Sequence, residues 1–454
     1  MGAPGIARNQ MGLLGLLSLM EASLNPESPE PLPVQVVVLG KETSLANELA
    51  WDTQPLIDLF AVGLTVPLFS THLRELGASH FTIGLLSSLY SGLQVISGPV
   101  VGSWSDVRDR KSVLTITLVL CSIAYVALGF ANSILVIAIV RFALGVTKHT
   151  QSLCKAIITD LLPPSERASA FGRSAAWGSL GFIIGPTLGG HLSEFNNGFT
   201  YVCVLTSLLF VINIGLTSAV TDVGDRKPSD VSPQMQNDSI LSRFGYELHK
   251  SVTDMTDIEW GTLWETFILR FIFGFSVTMY FSQQAVYLRE QFDMSQRHIG
   301  YTISYFSASG MISAFLLHYI TNYFYRNDDS CMKRLSHFFL LMTLSLVGLY
   351  LAPNVELFLV ALIPFSLSCT ILRIVSMELM LKQASSTHRG SLSGTSNSIM
   401  SVARFVTPVS SGLVADKLGG HLALLFAALP PLVGTIVSVR MRIKSAAKAK
   451  RKNE

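Results

Sequence analysis

Twelve apolar stretches, each close to the roughly 20 residues a helix needs to cross a bilayer, divide this chain into six, a polar interval and six. They lie near 54–73, 81–103, 112–131, 133–155, 172–192 and 199–219, and then near 262–286, 298–320, 335–352, 356–379, 393–414 and 421–439. Backbone groups in hydrocarbon have no water to bond, so stretches this long are expected as helices. Charged residues make up only 14% of the chain, against about 25% in soluble domains. The expectation is an all-α integral multi-pass membrane protein with twelve transmembrane helices.

Charge placement sets the orientation. Arg108, Arg110, Lys111, Arg167, Arg334 and Arg389 fall in loops on one side, together with the terminal run RMRIKSAAKAKRK. The opposite loops hold only Arg74, Arg289, Arg297 and Lys417. By the positive-inside rule both termini and the central interval are expected in the cytoplasm, of a plasma membrane or an endomembrane alike. Residues 1–50 read as a mostly disordered cytoplasmic tail, because the run at 11–20 is too short to span and lacks a cleavage site. The expected domains are that tail, a six-helix bundle at 51–220, a cytoplasmic loop at 221–258, a second bundle at 259–440 and a basic tail at 441–454.

The two halves repeat at an offset of 222 residues, the distance from Arg167 to Arg389. SERASAFG (165–172) aligns with THRGSLSG (387–394). Gly181, Gly185, Pro186, Gly189 and Gly190 then meet Ala403, Thr407, Pro408, Ser411 and Gly412, and Glu194 meets Asp416. Spans five and eleven have the same orientation, so the repeat is parallel. Gly181, Gly185 and Gly189 form one ridge at four-residue spacing, which lets a neighbouring helix approach closely. Pro186 removes one helix hydrogen bond and bends the span.

The pattern Gly172-x8-Gly181-x3-Gly185-Pro186-x2-Gly189-Gly190 resembles the fifth-helix motif of drug/proton antiporters in the major facilitator superfamily. GSWSDVRDRKSVL (102–114) is similar to the superfamily's signature loop at Gly102, Asp106, Arg110 and Lys111. It departs at Val107 and at Asp109, which stands where a turn glycine is usual and is expected to loosen the turn. Arg141-x3-Gly145 resembles the fourth-helix motif, with Leu144 in place of the usual Gln. The resemblance covers about residues 51–440. It implies two pseudo-symmetric six-helix bundles, alternating access around a central cavity, proton coupling, and a signature loop that works as a gate. It further implies a smooth seam at the fifth-helix glycines, suited to rocking one half on the other.

Ionisable groups inside a membrane cost about 2.5–3.5 kcal/mol each on insertion scales and are functional candidates. In RFALGVTKHTQSLCKAIITD (141–160), Arg141, Lys148 and Lys155 are seven apart, so a continuous helix sets them on one face with His149 and Gln151 beside it. Elsewhere Asp58, Arg270, Arg373 and Arg404 lie within spans, and Glu265 and Glu378 lie near the basic side. Asp58 is the natural partner for a fourth-span cation. The surplus cations point to a water-filled cavity attracting an anionic or carboxylate-bearing solute, with Arg141, Lys148 and Arg404 as contacts. Histidine as a residue type titrates near neutrality, so His149 suits a proton-linked switch, with adjacent Lys148 expected to disfavour its charged form. Tyr90 and Gln94 on span two, with Gln283, Gln284 and Tyr287 on span seven, offer polar contacts.

Other chemistries find no motif. The net charge of +3 gives no electrostatic footprint for nucleic acid. The five cysteines form no CxxC pair, so neither disulfide nor metal is expected. No phosphate-binding loop, HExxH or GxSxG occurs, so neither an enzyme nor a cofactor is expected. The sequence predicts a monomeric secondary transporter of a small-molecule solute in the lipid bilayer, and the resemblance implies an antiporter coupled to protons. The competing class is a non-transporting sensor or trafficking scaffold. That class draws on Asp109 and on the degraded loop copy YFYRNDDSCMKRL (323–335).

Overall fold

The computed structural model describes residues 34–219, 260–383 and 389–453, apart from 327 and 329. The central interval 221–258 and residues 1–33 lie outside the described residues. The described residues form twelve helical spans. The first six are Val34–Glu75, His80–Val107, Arg110–Gly129, a broken span of Ile134–Thr147 and Thr150–Leu161, Pro164–Leu192 and Gly198–Ala219. The second six are Trp260–Phe292, Gln296–Phe324, Met332–Leu351, Val355–Gln383, Arg389–Leu418, and Gly420–Phe426 continued by Leu429–Asn453. Ten of the twelve are apolar enough to cross a membrane by composition alone. The fifth and seventh carry more polar residues and complete the set.

Two boundaries differ from expectation at the ends. The backbone is already helical from Val34, inside the stretch expected to be irregular, and the last helix runs to Asn453 through the expected basic tail. Lys and Arg are good helix formers, so a basic segment continues a helix readily.

Each half has its own core. Leu64, Leu114, Leu118 and Phe210 centre the first, and Phe273, Phe339, Phe358 and Phe365 the second. Within the halves, span three packs on span six and span nine on span twelve. Between them, span two packs on span eleven and span five on span eight.

The glycine motif divides its labour between these surfaces. A Cβ at Gly181 would come within 2.8 Å of Phe60 N, one at Gly185 within 2.7 Å of Phe60 O, and one at Gly189 within 2.9 Å of the Leu64 carbonyl carbon. That ridge therefore holds span one, inside the first half, rather than forming the seam between halves. The seam is made by the other face of the motif. A Cβ at Gly190 would lie 2.7 Å from Gln296 O on span eight, and one at Gly300 would overlap the Pro186 carbonyl. The same geometry recurs across the repeat, where a Cβ at Gly84 would overlap the Pro408 carbonyl and one at Gly412 the His80 carbonyl. Gly172 and Gly102 have open space around them.

These contacts cluster on one face of the molecule, opposite the face that carries the chain's basic loops. Arg74 Nε meets Glu290 at 3.2 Å and Arg289 Nη1 meets Glu75 at 2.7 Å. Asp416 accepts the His80 and Phe81 backbone N–H groups, each at 2.9 Å, and its repeat mate Glu194 accepts Ser295 Oγ at 3.2 Å. Each pair joins one half to the other. Exposed ion pairs contribute about 0–1 kcal/mol apiece, so the close backbone packing does more than the charges to hold this face shut.

On the basic-loop face, the ion pairs seen among the described residues lie within a half. Arg110 bonds Asp106 at 2.7 Å and also Asp160 at the end of span four, while Lys111 Nζ donates to the Ser218 carbonyl at 3.1 Å. Asp109 does not loosen the turn. Its carboxylate accepts Ser112 N and Ser112 Oγ at 2.9 and 2.8 Å, a helix N-cap of the kind Asp favours. The described residues of the second copy keep a cap and an ion cluster as well. Asp328 accepts Arg334 N at 2.9 Å, capping span nine, and Arg334 reaches Glu378 at the end of span ten at 3.1 Å.

A branched side chain at the seam should force the closed face apart. Gly84→Leu is expected to raise labelling of a Ser88→Cys probe by membrane-impermeant maleimide several-fold. Ser88 is buried between spans two and eleven, and the five native cysteines are buried. Unchanged labelling in a folded variant would contradict the assignment.

Candidate functional site

The site is built on a helix break. Span four is not the continuous helix its seven-residue spacing predicts, because it stops at Thr147 and restarts at Thr150, leaving Lys148 and His149 outside both pieces. Thr147 Oγ1 bonds back to the Ala143 carbonyl at 2.9 Å, a local bond that competes with regular helix. An unsatisfied backbone group in a bilayer costs several kcal/mol, so a break needs replacement partners. Span two supplies them. Ser97 Oγ lies 3.1 Å from the Gly145 carbonyl, and Gln94 Nε2 donates to the Lys148 carbonyl at 2.9 Å. Gly145 makes this possible, since a Cβ there would sit 2.8 Å from Leu93 Cβ.

Freed from the helix, Lys148 turns to span one. Its Nζ donates to Asp58 Oδ1 and lies 2.8 Å from Thr150 Oγ1, which is itself 2.8 Å from Asp58 Oδ1. The ammonium sits 4.5 Å from the centre of the Phe210 ring. Asp58 is 3% exposed and Lys148 8%. Removing one partner of such a buried pair leaves an uncompensated charge, at a cost of about 3–5 kcal/mol.

The other fourth-span groups are engaged separately. The Arg141 guanidinium lies 3.4 Å from the Phe69 ring centre and 5.1 Å from that of Tyr90. Desolvated cation–π contacts of this kind are worth about 2 kcal/mol. Tyr90 OH accepts Gln94 Nε2 at 3.0 Å, so Arg141, Tyr90, Gln94 and the break form one network. His149 Nε2 lies 2.7 Å from Ser97 Oγ. Ser97 has one proton, and the Leu93 and Gly145 carbonyls compete for it. If either takes it, His149 must donate.

Beside this network lies a cavity of about 310 Å³. Asp58, Thr150 and Gln151 line it together with Lys155 from span four, Asn213 from span six and Arg373 from span ten of the other half. Arg373 shares its own carbonyl with a second cation, since Arg270 Nη1 donates to it at 2.9 Å and to Ser376 Oγ at 2.7 Å. Arg404 on span eleven donates to Ser401 Oγ at 3.3 Å and is not a lining residue of this cavity. The intramembrane acids nearest the basic-loop face are occupied, Glu265 by Lys444 at 2.6 Å and Glu378 by Arg334 and Lys382.

Thus the structure brings Asp58, Lys148, Gln151 and Arg373 to one place, sets Arg141, Tyr90, Gln94 and His149 just behind it, and leaves Arg404 apart. Sequence reasoning missed Asp160 and Asn213. Asp160 had a readable signal, an acid closing span four just before a Pro-Pro turn. Asn213 had one too, a lone amide in the middle of an apolar span.

The Major Facilitator Superfamily model matches residues 56–328. The class B tetracycline resistance protein of Escherichia coli is 30% identical over 192 residues, 41% of this chain and 47% of that protein. The chain spans about half the length of this and the other tetracycline resistance proteins it matches. Human solute carrier family 67 member A1 is 23% identical over 410 residues, 88% of this chain and 92% of that protein. Among solved structures, a bacterial homolog to the human lysosomal transporter Spinster, inward-facing and unoccupied, aligns with a TM-score of 0.68. It has 15% identity and covers 88% of this chain and 96% of that one. The human organic anion transporter MFSD10 (TETRAN) aligns with a TM-score of 0.57 at 17% identity, over 87% and 99% of the two chains. With a family match over more than half its length on a fold of two six-helix bundles, the chain belongs to the Major Facilitator Superfamily of membrane transporters.

Proposed function

We propose that the chain carries a small organic anion across the membrane by alternating access, coupled to protons and working as a monomer. The observation that carries the anion reading is the cation set at the cavity. Lys155 and Arg373 line it, Arg270 is bonded to the Arg373 backbone, and among the described residues no ion pair joins any of the three to a carboxylate. By contrast Lys148 is neutralised by Asp58 and Arg141 is engaged by two aromatic rings. The anion contacts therefore move from Arg141, Lys148 and Arg404 to Lys155, Arg373 and Arg270. Because Lys155 and Arg373 belong to different halves, an anion between them favours drawing the halves together on that side.

In this reading the basic-loop face is cytoplasmic, as the positive-inside rule suggests. The halves are joined on the opposite face, so the conformation is open to the cytoplasm. Asp58, Lys148 and Thr150 form the coupling group. Protonating Asp58 releases Lys148, and the strut of span four that begins at Thr150 loses its anchor. The Asp109 helix cap and the Arg334 cluster support this reading over a scaffold role.

Reconstituted full-length protein tests both parts. Counterflow of radiolabelled mono- and dicarboxylates is expected to be saturable in the wild type. Arg373→Ala should raise KM at least tenfold, with Arg373→Lys recovering part of the loss. Absence of carboxylate counterflow in the wild type would defeat the anion reading. Asp58→Asn is expected to retain counterflow and lose uptake driven by a pH gradient. Equal pH-driven uptake in Asp58→Asn and wild type would defeat the coupling role.

A further inference from the structure

Spans one and six run antiparallel, and two hydrogen bonds fix their register. Gln54 Nε2 donates to Thr217 Oγ1 at 2.9 Å, and Thr206 Oγ1 donates to the Ala61 carbonyl at 3.4 Å. One turn in from the Gln54–Thr217 pair, Asp58 lies opposite Asn213. A third contact agrees. Phe210, one turn from Asn213 on the same span, places its ring against the Lys148 ammonium that Asp58 holds.

Asn213 is fully buried, and neither its amide nitrogen nor its amide oxygen has a partner among the described residues. Asp58 Oδ2 is unpartnered as well, while Oδ1 takes both Lys148 and Thr150. Both residues line the same cavity. Buried polar groups are normally bonded, and here an unbonded amide and an unbonded carboxylate oxygen belong to residues lining one cavity. A direct bond would satisfy one atom on each side. One water molecule satisfies the same two atoms across a wider gap, because it accepts from the amide nitrogen and donates to Asp58 Oδ2, and it keeps a second proton for the cavity.

We propose that Asn213 is a positioning residue of the proton site and holds, with Asp58 Oδ2, the water through which that carboxyl exchanges protons with the cavity. A hydronium ion arriving from the cavity gives its proton to Oδ2, forming the neutral acid and leaving water on Asn213. Lys148 keeps its own proton throughout. The inference rests on the coupling role given to Asp58 and is independent of which solute is carried. The other titratable groups facing Asp58 are Lys148, Cys154 and Lys155 on span four, Cys121 and Tyr125 on span three, Tyr90 on span two and Arg373 on span ten. An exchange at Asn213 alters none of their charges, so a shift in the Asp58 titration reports the loss of its solvation.

The test is infrared titration of the full chain in lipid bilayers. It follows the carboxylic acid carbonyl band that disappears in Asp58→Asn. Asn213→Leu, similar in size and unable to hold water, should raise the midpoint by about one pH unit or more, a tenfold gain in proton affinity. Asn213→Ser, which still holds water, should keep the wild-type midpoint. If the leucine variant does not fold, Asn213→Val gives the same reading. An unchanged midpoint in the folded apolar variant would overturn the proposal, and so would a wild-type chain with no titrating band assignable to Asp58. Failure of carboxylate counterflow would leave this result standing.

Discussion

A lysine and an aspartate held together inside a membrane determine how the first half is built. The pair requires Lys148 to leave the helix, because a continuous span four would keep its backbone bonds and fix its side chain in line with Arg141 and Lys155. Leaving the helix frees carbonyls, which Ser97 and Gln94 then satisfy. That service brings span two against span four at Gly145, where only a missing side chain permits the approach. The Gly181, Gly185 and Gly189 ridge holds span one close enough to span five for Asp58 to be fixed in place. Helix break, glycine positions and polar residues on span two are thus parts of one solution to a low-dielectric problem.

The halves share geometry more faithfully than sequence. Gly190 and Gly412 abut the first residues of spans eight and two, and Gly300 and Gly84 abut the carbonyls of Pro186 and Pro408. At the other face, Arg110 with Asp160 and Arg334 with Glu378 tie the start of an odd-numbered span to the end of the next. The first cluster sits in a recognisable signature and the second does not. Cap, cation and distant acid are preserved as roles, although the letters and spacings that supply them have drifted.

Span number, the parallel repeat and the close-packing positions were legible because each is a periodic property of the chain. Burial of Asp58 beside a fourth-span cation was legible from charge economy. The helix break was not, since Thr147, Lys148 and His149 are all compatible with helix locally and only Asp58 on another span pulls Lys148 out. Which cations remain free was illegible for the same reason. Arg141 is occupied by two rings, Phe69 and Tyr90, that lie more than fifty positions away in one direction, and no pattern in span four records them. Asp109 was misread because the superfamily's glycine was taken as a conformational need, when a side-chain cap meets the same need differently.

The short helix Thr150–Leu161 has a mechanical consequence. Twelve residues make a rod about 18 Å long, and both of its ends are tethered. Thr150 is bonded to Asp58 at one end and Asp160 to Arg110 at the other. A break immediately before it makes the rod a separate segment from the rest of span four. A lever of that length turns a displacement of an ångström at a buried carboxyl into a comparable displacement at the membrane surface. The Asp58 carboxyl deep in the protein and the loop at its edge are therefore joined by one short helix.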